Sequence, residues 1–449
     1  MQNSNPNAPL NGVMATGNER FDPPANAMIS RFCPRCFFKF LSDFKSRFGD
    51  GVWVVWLLCI ALLATSCKTL SSRQISDPVP AVARLQAGAG IQDEVDRLAR
   101  PLIQSGEVYG MTVGVLTPDG VTRTYGYGRT GRAGDDQPPR ADTLFQVGSI
   151  AKLFVASVLA RLVEEGELHY ADTVRSILPP EVPLSKDIGE LTLYELVTHT
   201  AGLPRQPLGL PQLRCVFSYV FTGRNLYGYI DKPYLYAYLR HHHLKSRKRR
   251  GCAYSNIGVG LLAHLIEVKT GRSMADLVGE KICGPLNLRD TVYTLDAGQQ
   301  KRLAVGHVGD QPKFVRRGAP MAAWDMGEIM HPACGLYSTA DDLLIFAGAN
   351  LGLRHHPLEP LLAATHEVQI KTPEEDVAFG WLINYFEGGR SILYKHGMVS
   401  GYNVYIGMDP DTRVAVVVLF NTFNWNEKIG HNLVLRLSGA FAAGAAGLK

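Results

Sequence analysis

Ser149 and Lys152 stand three residues apart in Gly148-Ser149-Ile150-Ala151-Lys152-Leu153-Phe154, at the start of an apolar helical pattern. The pattern runs through Val155, Val158, Leu159 and Leu162 and stops near Gly166. Residues three apart share one face of a helix, so the hydroxyl and the amine can share one pocket. A serine hydroxyl is a weak nucleophile until a neighbour takes its proton. A lysine can take it only where burial and nearby positive charge lower its pKa. Four letters alone are a weak signal, because a helix N-cap serine followed by a solvated lysine has the same spacing. Partners elsewhere in the chain decide between the two.

Two further stretches carry groups that such a nucleophile needs. Tyr254-Ser255-Asn256 opens a helical stripe of Leu261, Leu262, Leu265 and Ile266 that closes at Gly271. Lys395-His396-Gly397 continues the strand pattern Ser391-Ile392-Leu393-Tyr394. Taken singly, Tyr254 is a core aromatic, Asn256 a helix cap and Lys395 a solvated strand lysine. Taken together, they supply a phenol, an amide and a second cation.

In this order the three stretches resemble the Ser-x-x-Lys, Tyr-x-Asn and Lys-x-Gly motifs of the serine β-lactamase and penicillin-binding-protein superfamily. The Tyr-x-Asn version is that of class C β-lactamases and related DD-peptidases and esterases. Leu196 to Pro204, Gly335 to Leu343 and the strand pair around Asp409-Pro410 also match the family's habits, so the resemblance spans roughly residues 91–445. It implies that Ser149 attacks a carbonyl carbon and is acylated. Lys152 accepts or relays its proton. Tyr254, a phenol acidified by two lysines, serves as general base for Ser149 and then for water. Which of Lys152 and Tyr254 takes the proton first stays open. Asn256 donates its amide to the substrate's acyl side-chain amide and orients Lys152. Lys395, on an edge strand, binds a substrate carboxylate and supports charge on Tyr254. Gly397 lets substrate approach that strand. The backbone N–H groups of Ser149 and Met398 form the oxyanion hole. This set needs no metal, no cofactor and no histidine base, so His199 and His396 are assigned to structure.

Family esterases often replace the first lysine of the third motif with histidine or tryptophan. Lys395 keeps the charge, and a buried charge-assisted pair to a carboxylate is a specific device. The expected substrate therefore ends in D-alanine: a peptidoglycan peptide for a D-alanyl-D-alanine carboxypeptidase/endopeptidase. A class C-like β-lactamase and an esterase are the alternatives within the chemistry. A catalytically silent module that binds wall peptides is the alternative outside it, and the presence of every catalytic residue type argues against silence.

The positioning elements follow from periodicity. Ile91, Val95, Leu98 and Leu102 mark a helix. Met111 to Val115 and Val121 to Tyr127 alternate about Pro118-Asp119-Gly120, which is a hairpin signature. Strand patterns return at Phe379–Ile383, Ser391–Tyr394, Gly401–Met408 and Arg413–Phe420, before a last helix over Glu427–Ala442. Strands at both ends with helices between predict an α/β (α+β) fold. One antiparallel sheet comes from residues 89–145 and 375–449, with an inserted helical lobe over 146–374 and the site in the cleft between them.

The remaining chain sets context. A net charge of +5 over 449 residues, part of it in Lys245 to Arg250, leaves no nucleic-acid footprint. Residues 1–27 are poor in core-forming side chains; basic residues then precede an apolar run from Val52 to Ala64. That run suits a signal-peptide core, and Ala64-Thr65-Ser66-Cys67 resembles a lipoprotein lipobox with Cys67 lipidated. Residues 1–67 are thus expected to be a leader or anchor and 68–88 a tether. The enzyme domain over 89–449 is expected in the bacterial cell envelope, held to a membrane with its catalytic part in the periplasm or outside the cell. An uncleaved anchor is the runner-up. Cys33-Pro34-Arg35-Cys36 has no second pair. Cys215, Cys252, Cys283 and Cys334 allow three disulfide pairings or four free thiols. Residues 205–250 are rich in aromatics, followed by His241-His242-His243, a poor preformed metal site, and the basic run to Arg250.

Overall fold

The computed structural model describes residues 90–442 apart from 135, 208, 245–250, 313, 374, 387–388 and 425–427. The apolar run and Cys67 lie outside the described residues. Among the described residues no helix is long and apolar enough to cross a membrane.

Seven strands form the main sheet. They are β1 (Gly110–Leu116), β2 (Thr122–Gly128), β3 (Asp376–Val377), β4 (Leu382–Tyr385), β5 (Ser391–Val399), β6 (Tyr402–Asp409) and β7 (Val414–Phe420). Their order is β2-β1-β7-β6-β5-β4-β3, and every pairing is antiparallel. Met111 lies opposite Phe420 and Leu116 opposite Ala415, so the first hairpin is zipped to the last strand. The helices used below are α1 (Ile91–Gln104), α2 (Ala151–Glu164), α3 (Leu210–Thr222), α4 (Lys232–His241), α5 (Asn256–Thr270), α6 (Gly327–Cys334), α7 (Ala340–Asn350) and α8 (Lys428–Ala442).

Strand alternation divides the core in two. Met111, Val113, Val115, Val416, Val418 and Tyr405 pack with Val95 of α1 and Leu433 and Leu437 of α8. Leu393, Val399, Val404, Ile406, Val417 and Leu419 pack with the helical lobe on the other face. Both faces are covered, which is why β1 and β7 are buried at every position. Helix α2 is buried from Ala151 to Ala160, as a helix that is apolar all round must be.

Two expectations need correction. Phe379 and Gly380 belong to a turn rather than a strand. Gly380 has φ +81°, and the Ala378 N–H donates to the Trp381 carbonyl at 3.0 Å. Nor is β5 the edge strand. Strand β4 pairs with Ser391–Tyr394 only, while β6 pairs with Leu393–Val399. Lys395 to Val399 therefore has a sheet neighbour on one side alone, and the stretch is locally an edge inside an interior strand.

Candidate active site

Ser149 sits just before its helix. Gly148–Ile150 forms a single 3₁₀ turn, and α2 begins at Ala151. Gly148 has φ +53°, and a Cβ placed on it would lie 2.9 Å from the Met398 nitrogen. On the facing strand, a Cβ on Gly397 would lie 2.0 Å from the Val147 oxygen and 3.1 Å from the Ser149 nitrogen. Both glycines are needed for the serine turn and β5 to touch backbone to backbone. This contact brings the Ser149 and Met398 main chains together.

Two side chains meet Ser149 Oγ, and two more cations stand around the second of them. Lys152 Nζ donates to it at 3.0 Å, and the Tyr254 hydroxyl donates at 2.7 Å. Lys152 Nζ and Lys395 Nζ each lie 5.3 Å from the centre of the Tyr254 ring, and the Arg205 guanidinium lies 5.2 Å from it. Ser149 is half-buried, whereas Lys152 and Lys395 are each only 2% exposed. Lys395 shares its sheet face with Leu393 and Val399 and so points at the helical lobe. His396 points to the other face, where its Nε2 meets Asn403 Oδ1. It cannot reach Ser149 from there.

Electrostatics separate the titratable groups. Burial and the Lys152 charge hold the Lys395 ammonium below the usual lysine range. Burial pushes the Tyr254 phenol up, but Lys152, Lys395 and Arg205 outweigh it and leave its pKa lowered. Lys152 behaves in the opposite sense from the sequence requirement for a lysine base. Burial opposes its charge, yet Cys334 and Tyr254 overcome that and leave its pKa raised. The surroundings thus favour the ammonium form of Lys152 and the phenolate form of Tyr254.

Asn256 lies beside this set, but it does not hold Lys152. Lys152 Nζ donates instead to the Ala333 carbonyl at 3.1 Å and to Cys334 Sγ at 3.5 Å, both at the end of α6. Asn256 Nδ2 reaches the Tyr227 hydroxyl at 3.4 Å, and its Oδ1 is buried without a partner. The open end is therefore the acceptor, not the donor expected from the sequence, and a buried amide oxygen left open suits a substrate N–H. Ser255 caps α5 by accepting from the Gly258 N–H, which fixes Tyr254 one residue ahead of the cap.

Four contributors escaped the sequence reading of the site: Ala333, Cys334, Arg205 and Tyr227. His199, assigned there to structure, is a positioning residue. It adopts φ +60°, its carbonyl accepts from the Ala253 N–H, and its Nδ1 accepts from the Ser255 N–H. Its ring lies 4.7 Å from that of Tyr254, so His199 grips the residues on both sides of the phenol. Burial, with Lys395 and Lys152 nearby, holds its pKa far below the usual histidine range, which keeps the ring neutral and able to accept. Cys215, Cys252, Cys283 and Cys334 are all free thiols. Among the described residues no group of histidine, cysteine and carboxylate side chains could hold a metal ion.

The family model described as Beta-lactamase matches residues 95–440. The chain belongs to the beta-lactamase family. It is 26% identical over 343 residues to the D-alanyl-D-alanine-carboxypeptidase/endopeptidase AmpH of Escherichia coli (strain K12), covering 73% of this chain and 83% of that one. Its fold matches a class C beta lactamase from Rhodobacter sphaeroides with TM-score 0.64 at 25% identity, over 79% of this chain and 99% of that one. It matches a D-alanine carboxypeptidase AmpC from Burkholderia cenocepacia with TM-score 0.63 at 23% identity, over 78% of this chain and 99% of that one. The protein is a serine hydrolase built on the β-lactamase/DD-peptidase fold.

Proposed function

We propose that this beta-lactamase-family hydrolase is a D-alanyl-D-alanine carboxypeptidase/endopeptidase that works through an acyl-enzyme on Ser149. Tyr254, as phenolate, takes the Ser149 proton while Oγ bonds to the scissile carbonyl carbon. The Ser149 and Met398 N–H groups receive the oxyanion. Tyr254 passes its proton to the leaving D-alanine amine as the C–N bond breaks. Water then attacks the ester, Tyr254 takes its proton, and Ser149 leaves with that proton returned. Lys152 stays an ammonium throughout and holds both oxygens in place. Asn256 Oδ1 receives the N–H of the acyl donor.

The observation that carries the reading is Lys395. Its ammonium is almost fully buried and faces the helical lobe; no ion pair closes on it among the described residues, and the Tyr254 phenolate and the Glu375 carboxylate favour its charge only enough to leave its pKa below the usual lysine range. A buried unpaired charge is costly, so a site that keeps one is built for an anion. The terminal carboxylate of a D-alanyl-D-alanine peptide is such an anion, one residue from the scissile bond. The relation to AmpH supports the same substrate class.

The test compares an acyl-D-Ala-D-Ala peptide with its C-terminal amide, in the parent and in Lys395→Gln. The acid should exceed the amide in kcat/KM by about 30-fold or more, as expected for losing one partner of a buried charge pair, and Lys395→Gln should abolish the difference. Equal turnover of acid and amide by the parent would remove the carboxylate reading. Fluorescent-penicillin labelling that persists in Ser149→Ala would remove the nucleophile itself.

We also propose that Cys67 is lipidated and that the enzyme works in the cell envelope, a reading supported by the apolar run and the small residues before the cysteine. Labelled fatty acid should enter the parent and not Cys67→Ala; label in neither protein removes the proposal.

A further inference from the structure

Among the described residues seven large apolar side chains stand exposed, and three of them form one run of rings. Leu213, Phe217 and Phe221 recur every fourth residue along α3, which puts them on a single stripe. They are 44%, 52% and 48% exposed, and Phe314 from a separate loop is 54% exposed. The Phe217 and Phe221 rings lie 4.9 Å apart, and Phe221 stacks on Phe314 at 5.1 Å. The inner side of α3 is fixed. Tyr219 is buried at 5.7 Å from Trp324, whose Nε1 donates to the Gly223 carbonyl at the helix end. The stripe is thus held outward by a packed helix.

Its charge is mostly basic, with Asp310 on the Phe314 loop paired to Arg317 at 3.5 Å. Arg214, Arg224 and Arg316 are exposed on the same segments, and residues 205–230 contain no aspartate or glutamate. We propose that this face docks on an anionic lipid bilayer. Contiguous exposed aromatics call for an apolar medium. Aromatics beside arginines match the boundary between acyl chains and anionic headgroups, where both types gain. A second copy of this chain is a poor occupant, because a face-to-face dimer would bring two arginine-rich rims together. The chain's own segment over 28–50 is also net basic, with Arg31, Arg35, Lys39, Lys45 and Arg47. The segment that follows α3 carries Tyr227, whose hydroxyl contacts Asn256. Docking would therefore set one wall of the catalytic cleft close to the headgroups.

Amide hydrogen exchange on the full chain tests the proposal, using vesicles of phosphatidylglycerol with phosphatidylethanolamine against vesicles of phosphatidylcholine alone. Amides of 210–222 should exchange roughly tenfold more slowly, or slower still, on the anionic vesicles only. The slowing should vanish in Phe217→Ser/Phe221→Ser/Phe314→Ser while ester turnover in solution is unchanged. Should that variant misfold, Arg214→Glu/Arg224→Glu keeps the aromatics and should lose the preference for anionic lipid. Unchanged exchange on anionic vesicles overturns the proposal. Slowing without lipid that grows with protein concentration assigns the face to a second copy. Slowing by cell-wall polymer but not by vesicles assigns it to the polymer. Either result overturns the lipid assignment.

Discussion

Replacing Tyr254 by phenylalanine removes one oxygen and separates the two candidates for the base. The ring keeps its place against His199, and Ser149 keeps its bond from Lys152. What is lost is the 2.7 Å contact to Ser149 Oγ and the acid–base group itself. The two lysines lie 5.3 Å from the ring centre, and at an effective dielectric of about 20 each favours a phenolate by roughly 3 kcal/mol before desolvation is subtracted. That support outweighs burial and leaves Tyr254 lowered, while Cys334 and Tyr254 leave Lys152 raised. If the phenolate is the base, Tyr254→Phe should slow acylation by about 10²–10⁴-fold, or roughly 3–5 kcal/mol of barrier. Stopped-flow acylation by a chromogenic β-lactam reads this directly. The pH profile adds a second readout. A base must be deprotonated, so the parent's kcat/KM should climb with pH and level off below the ordinary tyrosine range of about 10. The variant should lose that limb. Acylation that stays within about fivefold of the parent, with the rising limb unmoved, would refute the assignment and return the role to Lys152.

Three further perturbations probe the same cluster. Lys395→Gln removes a cation from the phenolate's surroundings, so the rising limb of kcat/KM should move to higher pH, measured on a neutral ester to exclude carboxylate binding. Cys334→Ala removes a neighbour that favours the Lys152 ammonium, so the falling alkaline limb should move to lower pH, while unfolding is checked by denaturant titration. Gly397→Ala forces a Cβ to within 2.0 Å of the Val147 oxygen; it should cost about 1–3 kcal/mol in urea unfolding and lower single-turnover acylation more than that loss explains.

The sheet was largely legible because its strands carry period two and its hairpins carry turn residues. The site was legible because each group sits in a short stretch whose own letters mark it: Ser149 and Lys152 at helical spacing, Tyr254 before a cap, Lys395 before a glycine. What could not be read depends on residues far apart in sequence. Lys152 meets Cys334 across 182 residues, and Tyr254 meets Ser149 across 105. No local pattern says which carbonyl or thiol will stand opposite an amine. Asn256 was given the task that Ala333 and Cys334 perform, because an amide two residues from Tyr254 looked like the natural partner. The edge character of Lys395 was right in effect and wrong in cause, since it depends on where β4 ends rather than on β5 itself. The segment over 205–250 hid two helices, each with a proline in its first turn, among tyrosines that serve packing, Tyr227 beside Asn256 excepted.

The cluster's charge explains why one phenol can take on the base's work. Two nearly fully buried ammonium groups face a single phenol, and the described residues supply no carboxylate ion pair to either. Like charges withdrawn from water cost free energy that packing alone does not return. Within the chain Glu375 favours the Lys395 charge and Cys334 the Lys152 charge, yet Lys395 stays lowered; two further anions can offset the cost, the phenolate of Tyr254 and a carboxylate from outside the chain. The first arises by losing a proton, which makes Tyr254 basic toward Ser149. The second arrives with substrate and lies nearest Lys395, which relieves part of that lysine's pull on the phenolate. Bound carboxylate should thus strengthen Tyr254 as a base at the moment a scissile carbonyl is in place. A ligand without the anion leaves Lys395 pulling at full strength and the phenolate weaker as a base. Discrimination for the anionic end is therefore expected in the acylation rate as well as in binding, because the same lysine serves both.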